Sequence, residues 1–202
     1  VASLHNMPQD LSISANVLKL FRGNIVVPSK FLQTIIKKYF DLPSTILPYY
    51  FELPDSQSKT NEKAADGFIK LLQPTRFTNW KGSHLSLKVV CDLLDEGYRN
   101  VLFTHGGISQ KDVYTKWDSR WDILYPGLKE RVKAYTKAGK LSFFKYNFED
   151  TYKVFNKYDY ILHPSIGVGH EGDPNPIAAQ QAVISNSFII VSSSGNLPNI
   201  VN

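Results

Sequence analysis

The sequence predicts an α/β protein whose parallel β-sheet is open and covered by helices on both faces. Short apolar segments alternate with longer segments that repeat apolar residues at helical spacing, and only a few residues connect most of them. Such an order favours parallel strands joined by crossover helices. Ligands of these sheets bind beyond the carboxyl ends of the strands, so we expect functional residues in the loops that follow strands.

The first predicted elements are strands at residues 1–5 and 25–27, followed by a helix. Ser29 has the residue type of a helix N-cap. The stripe that we expect this helix to bury is Phe31, Ile35 and Tyr39, with Leu32, Ile36 and Phe40 beside it. Residues 41–43 end the helix, because the proline there cannot continue it, and residues 44–47 form the next strand.

From residue 68 onward, strands and helices alternate more regularly. The predicted order is strand 68–72, helix 83–96, strand 101–104, helix 126–138, strand 141–144, helix 149–156, strand 160–162, a helix after Pro176 and strand 188–191. The apolar stripe of the helix 83–96 is Leu85, Val89 and Leu93, with Val90 and Leu94 beside it. Residues 105–124 interrupt the alternation as a polar and aromatic insert that contains Trp117 and Trp121.

A change of composition divides the chain into two units. Residues 52–66 are rich in Ser, Lys, Asp and Glu and show no periodicity, which is typical of a linker between domains. Residues 1–51 and 67–202 are therefore predicted to belong to separate domains. The chain begins within a strand and ends directly after a turn, so we expect a fragment of a two-domain protein, or a second polypeptide that supplies the rest.

Composition excludes some classes of protein. The net charge of +5 comes from scattered lysines and no nucleic-acid-binding motif is present, so we expect phosphorylated ligands and no nucleic acid. Cys91, the single cysteine, cannot form an internal disulfide, which fits a reducing compartment. The sequence has neither an apolar run long enough for a membrane span nor a signal-peptide pattern. We expect a cytoplasmic location, with peripheral membrane contact as an open alternative.

Two cations lie in the loop between the strand 68–72 and the helix that begins near Ser83. Arg76 and Lys81 are these cations. A strand-to-helix turn presents free backbone N–H groups and the partial positive charge of the helix N-terminus. This combination favours a cradle for a diphosphate, whereas solvated loop charges are the alternative for the segment taken alone.

A second polar segment lies about ninety residues further along the chain. It runs from His163-Pro-Ser through Glu171-Gly-Asp-Pro-Asn-Pro to Gln181-Ala. It follows the strand 160–162, and it carries the carboxylates of Glu171 and Asp173. Arg76, Ser165 and Ser193 all fall just beyond the ends of predicted strands, which is where such sheets bind their ligands.

Together the two segments resemble the donor-binding domain of retaining glycosyltransferases of the GT-B type, the large family 4. That family has Arg followed by Lys-Gly, then Pro-Ser, then Glu-Gly with a second acid eight residues after the first, and a final strand with a glycine turn. The chain matches this pattern over roughly residues 20–202, at Arg76, Lys81-Gly82, Pro164-Ser165, Glu171-Gly172 and the segment 188–199. The resemblance implies a Rossmann-like GT-B fold and transfer of a sugar from a nucleotide-sugar to a hydroxyl group, with retention at the anomeric carbon.

The chain departs from the family pattern at its acids. The second acid of the pair is Gln181 here, and the acid of the last turn is Asn199. The first acid has two possible registers: Glu171 requires two extra residues before Gln181, whereas Asp173 lies eight residues before it without an insertion. We favour Asp173, which also leaves Asn186 where the family usually has Gly. A Gln amide both donates and accepts hydrogen bonds, so Gln181 can still bind a diol.

The resemblance implies a role for each matched residue. Arg76 and Lys81 would bind the diphosphate and stabilise the charge that develops on the leaving group. Asp173 or Glu171 would orient the donor sugar, and Gln181 would hold the ribose. The acceptor would be a glycan, a lipid-linked sugar or another hydroxyl compound, as in glycan biosynthesis.

Four further residues are candidates by their positions. His5 would approach the sugar from the N-terminal half, with a surface histidine as the alternative. Asn147 lies where the family has its base-binding loop, and Asn175 keeps a backbone N–H between two prolines. Gly195 resembles the glycine turn whose N–H groups meet phosphate, with a plain loop as the alternative.

We expect neither a metal nor a cofactor beyond the substrate, a UDP- or GDP-sugar. His163, His170 and Asp173 fit no common metal-ligand spacing, and the chain has no Asp-x-Asp motif. His105, in a glycine-rich loop after the second strand, is expected only to turn the chain. A non-catalytic module that binds a nucleotide or a protein partner is the alternative function, because Gln181 replaces an acid. An unrelated dinucleotide-binding domain is disfavoured, because G-x-G-x-x-G is absent.

Overall fold

The computed structural model describes six parts of the chain, which are residues 2–3, 25–48, 67–146, 151–166, 173 and 176–201. In these residues the strands form two parallel sheets, one of three strands and one of five. Helices cover the strands, so the predicted α/β class is confirmed. The predicted linker 52–66 lies outside the described residues, and the domain boundaries stay a prediction.

The three-stranded sheet follows the prediction closely. Its strands are, in order, β1 (Ala2–Ser3), β2 (Ile25–Val27) and β3 (Thr45–Ile46). Helix α1 (Lys30–Phe40) connects β2 to β3. The Ser29 hydroxyl caps this helix by accepting a hydrogen bond from the backbone N–H of Leu32, at 3.2 Å. Asp41 ends the helix in the left-handed conformation, with φ 51°.

The buried stripe of α1 differs from the predicted one. The residues that pack against β2 are Leu32, Ile35, Ile36 and Phe40. Phe31 is only partly buried, and Tyr39 is 42% exposed. Both stripes have helical spacing, and aromatic residues lie on each of them. The contact with Ile25 and Val27 of β2 decides which stripe faces inward.

Most of the described residues belong to the unit built on the five-stranded sheet. Its elements are β4 (Ile69–Gln73), α2 (Ser83–Asp95), β5 (Val101–His105), α3 (Arg120–Leu124), α4 (Leu128–Lys137), β6 (Leu141–Phe143), α5 (Thr151–Phe155), β7 (Tyr160–His163), α6 (Ile177–Ile184), β8 (Phe188–Val191) and α7 (Pro198–Val201). Among the described residues, no helix is both long and apolar enough to cross a bilayer.

The strand order reverses at the centre of this sheet. The order is β6-β5-β4-β7-β8, and every pair of neighbours is parallel. The chain starts at β4, proceeds outward through β5 and β6, and then returns to place β7 on the other side of β4. The loops after β4 and β7 therefore lie beyond the carboxyl ends of the two strands between which the order reverses. This is the place where open parallel sheets bind ligands.

Helices cover both faces of the five-stranded sheet, as predicted. Leu71 and Leu72 are neighbours in β4, so their side chains point to opposite faces. Leu71 belongs to a core with α2 and α4, whereas Leu72 packs with Phe155 of α5 and Ala182 of α6. In α2 the buried apolar residues are Leu87, Val90, Cys91 and Leu94. Val89, predicted to lie on the buried stripe, is 55% exposed.

One expectation about residues 105–124 is wrong, and the structure adds a detail to the other. The two tryptophans of the polar and aromatic insert enter the same core as α2 and α4, where Trp121 is fully buried and Trp117 is nearly so. His105 does not turn the chain: it is the last residue of β5 and is fully buried. Aromatic rings carry enough apolar surface to enter a core even in a segment rich in charges.

Candidate anion-binding site

The loop after β4, residues 74–82, holds two cations against one aromatic ring. Lys81 Nζ lies 4.1 Å from the centre of the Trp80 ring, and Arg76 Cζ lies 5.2 Å from it. Arg76 is exposed and Lys81 is buried. The face of an indole ring attracts cations, so Trp80 brings the two charges together despite their mutual repulsion.

Buried polar groups hold this loop in shape. The amide nitrogen of Gln73, at the end of β4, donates to the Lys81 carbonyl at 2.9 Å and to the Thr75 hydroxyl at 3.1 Å. Gly82 starts α2 in the left-handed conformation, with φ 68°. A Cβ atom at Gly82 would lie 2.0 Å from the carbonyl oxygen of Pro164. The loops after β4 and β7 therefore approach so closely that only glycine fits at this position.

Lys81 forms a buried ion pair with Asp173. Its ammonium donates a hydrogen bond to Asp173 Oδ2, and the two side chains are 11% and 4% exposed. Two further side chains surround the same oxygen. Ser165 Oγ donates to it at 3.4 Å, and His163 Nε2 lies 3.8 Å away. Residues after β4 and β7 thus meet at one carboxylate, about ninety residues apart in sequence.

Burial governs the protonation of this cluster. It lowers the pKa of Lys81, an effect that the charge and hydrogen bond of Asp173 oppose. Burial also lowers the pKa of His163 to about 4, and the nearby Lys81 charge acts in the same direction. His163 is therefore neutral near pH 7, so the positive charge beside Asp173 is that of Lys81.

Gly195 packs directly against Asp173. It has φ 62°, and a Cβ atom there would lie 2.3 Å from the backbone nitrogen of Asp173. The backbone N–H of Asn196 donates to the Asp173 carbonyl at 2.9 Å. The turn after β8 therefore fixes the position of Asp173, and its predicted contact with phosphate stays a prediction.

The structure brings together Arg76, Lys81, Asp173 and Gly195 among the predicted site residues. Gln181 is buried on α6, eight residues after Asp173. The remaining candidates lie outside the described residues, and their roles stay predictions: His5, Asn147, Glu171 and Asn175.

Other features of the site are clearer in the structure than in the sequence. Gln73 and Ser83 were not predicted to matter, although both are fully buried polar residues beside the cation loop. A polar residue directly after an apolar strand, such as Gln73, is the sequence signal that could have identified one of them.

Asn186 has φ 51°, which is the left-handed conformation that glycine usually supplies. Among the described residues, no three His, Cys, Asp or Glu side chains are placed to hold a metal ion.

Comparisons with known proteins locate this geometry in a known fold. No protein-family model and no curated protein matches the sequence. Solved structures of GT-B glycosyltransferases are similar in fold. A glycosyltransferase of Rickettsia africae matches 98% of this chain and 52% of its own, with a TM-score of 0.64 and 16% identity.

Two more solved structures illustrate the similarity. HepE of Anabaena, in complex with UDP and glucose, matches 99% of this chain and 55% of its own, with a TM-score of 0.69 and 14% identity. The sucrose-phosphate synthase of Thermosynechococcus elongatus matches 94% and 46%, with a TM-score of 0.66 and 15% identity. The chain thus spans about half the length of these proteins. At such identities the similarity shows the fold alone.

Proposed function

We propose that this chain carries the donor-binding half of a retaining, family 4-like glycosyltransferase. The observation that supports the proposal best is the placement of Arg76 and Lys81 where the strand order reverses, held on one aromatic ring. Two cations and the N-terminus of α2 suit a diphosphate. The GT-B neighbours support a nucleotide-sugar as the donor, since the HepE structure holds UDP and glucose.

The proposed reaction uses charge and position. Arg76 and Lys81 bind the diphosphate and stabilise its developing negative charge as the bond from the anomeric carbon to phosphate oxygen breaks. A new bond forms between the acceptor oxygen and the same carbon, on the same face of the sugar. The proton of the acceptor hydroxyl passes to the leaving phosphate. Asp173 orients the sugar hydroxyls, and Gln181 holds the ribose.

A second candidate is a module that binds a nucleotide or a partner without turnover. The replacement of an acid by Gln181 favours it, and so does the ion pair in which Asp173 occupies Lys81. Hydrolysis of a nucleotide-sugar, or transfer to an added acceptor by the longer protein, would favour the enzyme. Nucleotide binding with neither reaction would favour the module.

Calorimetry with UDP and GDP, in EDTA and in excess Mg²⁺, tests the binding step. We expect affinity without divalent metal, because the cations of the chain itself neutralise the phosphates. Arg76→Ala should weaken binding by about tenfold to a hundredfold, since a charge-assisted contact contributes about 1.5–3 kcal/mol. The matched control is Arg99→Ala, which removes another exposed arginine, just before the amino end of β5 and so at the other end of the strands.

Lys81 can be tested with a lysine of the following helix as its control. Lys81→Ala should also weaken binding by about tenfold or more, for the same reason. Lys88→Ala should not, because Lys88 lies within α2 and pairs with Asp92. Equal effects of the two changes in either pair, or binding that disappears with EDTA, would contradict the proposed function.

A further inference from the structure

His105 is a buried polar residue that the proposed binding step does not use. Its ring is fully buried between aromatic side chains. The ring of Phe77, in the cation loop, meets it edge-on with the centres 5.1 Å apart, and Phe143 of β6 stacks at 6.4 Å. A polar ring in such surroundings needs hydrogen bonds for its nitrogen atoms.

The two hydrogen bonds of His105 define which nitrogen carries its proton. The backbone N–H of Gly107 donates to Nδ1 at 3.2 Å, so Nδ1 is the acceptor. Nε2 lies 3.0 Å from Ser83 Oγ. Burial lowers the pKa of His105 to about 3, so the ring is neutral and its one proton is on Nε2. His105 therefore donates to Ser83.

Ser83 connects His105 to the loop 74–82, which carries the two cations. Its hydroxyl oxygen accepts from the backbone N–H of Thr78 at 3.2 Å and donates to the Arg76 carbonyl at 3.4 Å. Its own backbone N–H donates to the Thr78 carbonyl at 3.4 Å. The chain of hydrogen bonds thus runs from the end of β5, through one hydroxyl, to the backbone that carries the Arg76 side chain.

We propose that His105 is a positioning residue of the anion site, which acts through Ser83 to hold the Arg76 backbone in place before a ligand arrives. The proposal rests on the proposed function, because it assigns the loop 74–82 to diphosphate binding. A loop that is already ordered loses less conformational entropy when it binds, so the restraint increases affinity without contacting the ligand.

Two amide substitutions separate the two hydrogen bonds of His105. In His105→Gln the amide nitrogen reaches the position of Nε2 and can still donate to Ser83. In His105→Asn the shorter side chain reaches only the position of Nδ1, so it keeps the Gly107 bond and loses Ser83. We expect His105→Asn to bind UDP about tenfold more weakly than His105→Gln.

Hydrogen exchange measures the restraint without any ligand. The amides of residues 76–83 should exchange at least several-fold faster in His105→Asn than in His105→Gln, because the loop opens more often. Ser83→Ala should exchange at least as fast as His105→Asn, because it also removes the hydroxyl's bonds to Thr78 and Arg76. Adding His105→Asn to Ser83→Ala should change little. The matched control is Ser86→Ala: Ser86 is buried in the same helix, and its hydroxyl has no hydrogen-bond partner among the described residues.

Each outcome decides the proposal. Equal exchange and equal UDP affinity in the Asn and Gln variants would overturn it and leave His105 a packing residue. If neither His105 variant folds, Ser83→Ala against Ser86→Ala decides, and equal exchange in these two overturns it. Failure of the unchanged chain to bind UDP would overturn the proposed function, whereas the link from His105 to the loop is then judged by exchange alone.

Discussion

Asp173 is the residue whose surroundings constrain the site most. Its carboxylate accepts hydrogen bonds from Lys81 and Ser165. On the proposed function, a diphosphate and Asp173 compete for Lys81. The affinity for the diphosphate then depends on how tightly Asp173 holds Lys81.

We expect Asp173→Asn to lower stability and to raise UDP affinity. Breaking a buried ion pair leaves Lys81 without a counter-charge, which typically costs about 3–5 kcal/mol. Bound UDP would then restore the missing negative charge, so affinity should rise by about tenfold. Thermal melting with and without UDP measures both effects, since a tighter ligand raises the melting temperature further.

Asp92→Asn is the matched control for this change. Asp92 pairs with Lys88 and Arg131 at the partly exposed surface of α2, where ion pairs contribute about 0–1 kcal/mol. Weaker UDP binding by Asp173→Asn would show that Asp173 prepares Lys81 for the ligand instead of competing with it.

At the scale of elements, the segment between β5 and α4 packs against the loop 74–82, which carries the two cations. Trp121 of α3 meets Phe77 edge-on at 5.2 Å, and its indole N–H donates to Asn79 Oδ1 at 3.3 Å. Both partners belong to the loop 74–82. A segment that the sequence marks as an insert is thus part of the structure that places Arg76 and Lys81.

Trp121→Ala should cost about 3–5 kcal/mol of stability, because it leaves a large cavity in the core. Ile123→Ala, two residues away on the same helix, should change stability by about 0.5 kcal/mol or less, since Ile123 is 79% exposed. Urea denaturation followed by fluorescence measures both. Similar costs for the two changes would mean that α3 does not enter the core.

At the scale of the whole molecule, buried histidines predict sensitivity to acid. Burial lowers the pKa of His163 to about 4 and that of His105 to about 3, whereas an exposed histidine titrates near 6.5. As the pH falls, these two histidines therefore bind protons in the unfolded chain at a higher pH than in the folded chain. The contribution of the two neutral rings to the free energy of unfolding is complete above their pKa in the unfolded chain. It is lost as the pH falls towards their pKa in the folded chain.

We expect the urea concentration at the unfolding midpoint to decrease as the pH is lowered from about 7.5 to about 5. Over this range each of the two histidines lowers the free energy of unfolding by about 2 kcal/mol. Changing either to glutamine, which does not titrate, should make the dependence shallower. A midpoint that stays constant over this range would show that the two rings are accessible to protons in the folded state.

The sequence by itself determined the order and extent of the elements, because these depend on local chemistry. Helix α2 was predicted at 83–96 and spans Ser83–Asp95, and β8 was predicted at its observed bounds, Phe188–Val191. Apolar periodicity, Ser29 as an N-cap and prolines act over a few residues, so they can be read from a single sequence. The cations of the candidate loop were found in the same way.

Only the tertiary structure decided which surfaces and which side chains meet. Val89 and Val90 both fit helical stripes, and packing on β4 and β5 buries Val90 and leaves Val89 exposed. The pair Lys81–Asp173 and the link from His105 to Ser83 join different strands and loops. The Lys81–Asp173 pair forms because β7 returns beside β4 and Gly82 lets the loops after these strands touch, whereas the His105–Ser83 link forms because β5 pairs with β4. Strand order is a non-local property that periodicity does not encode.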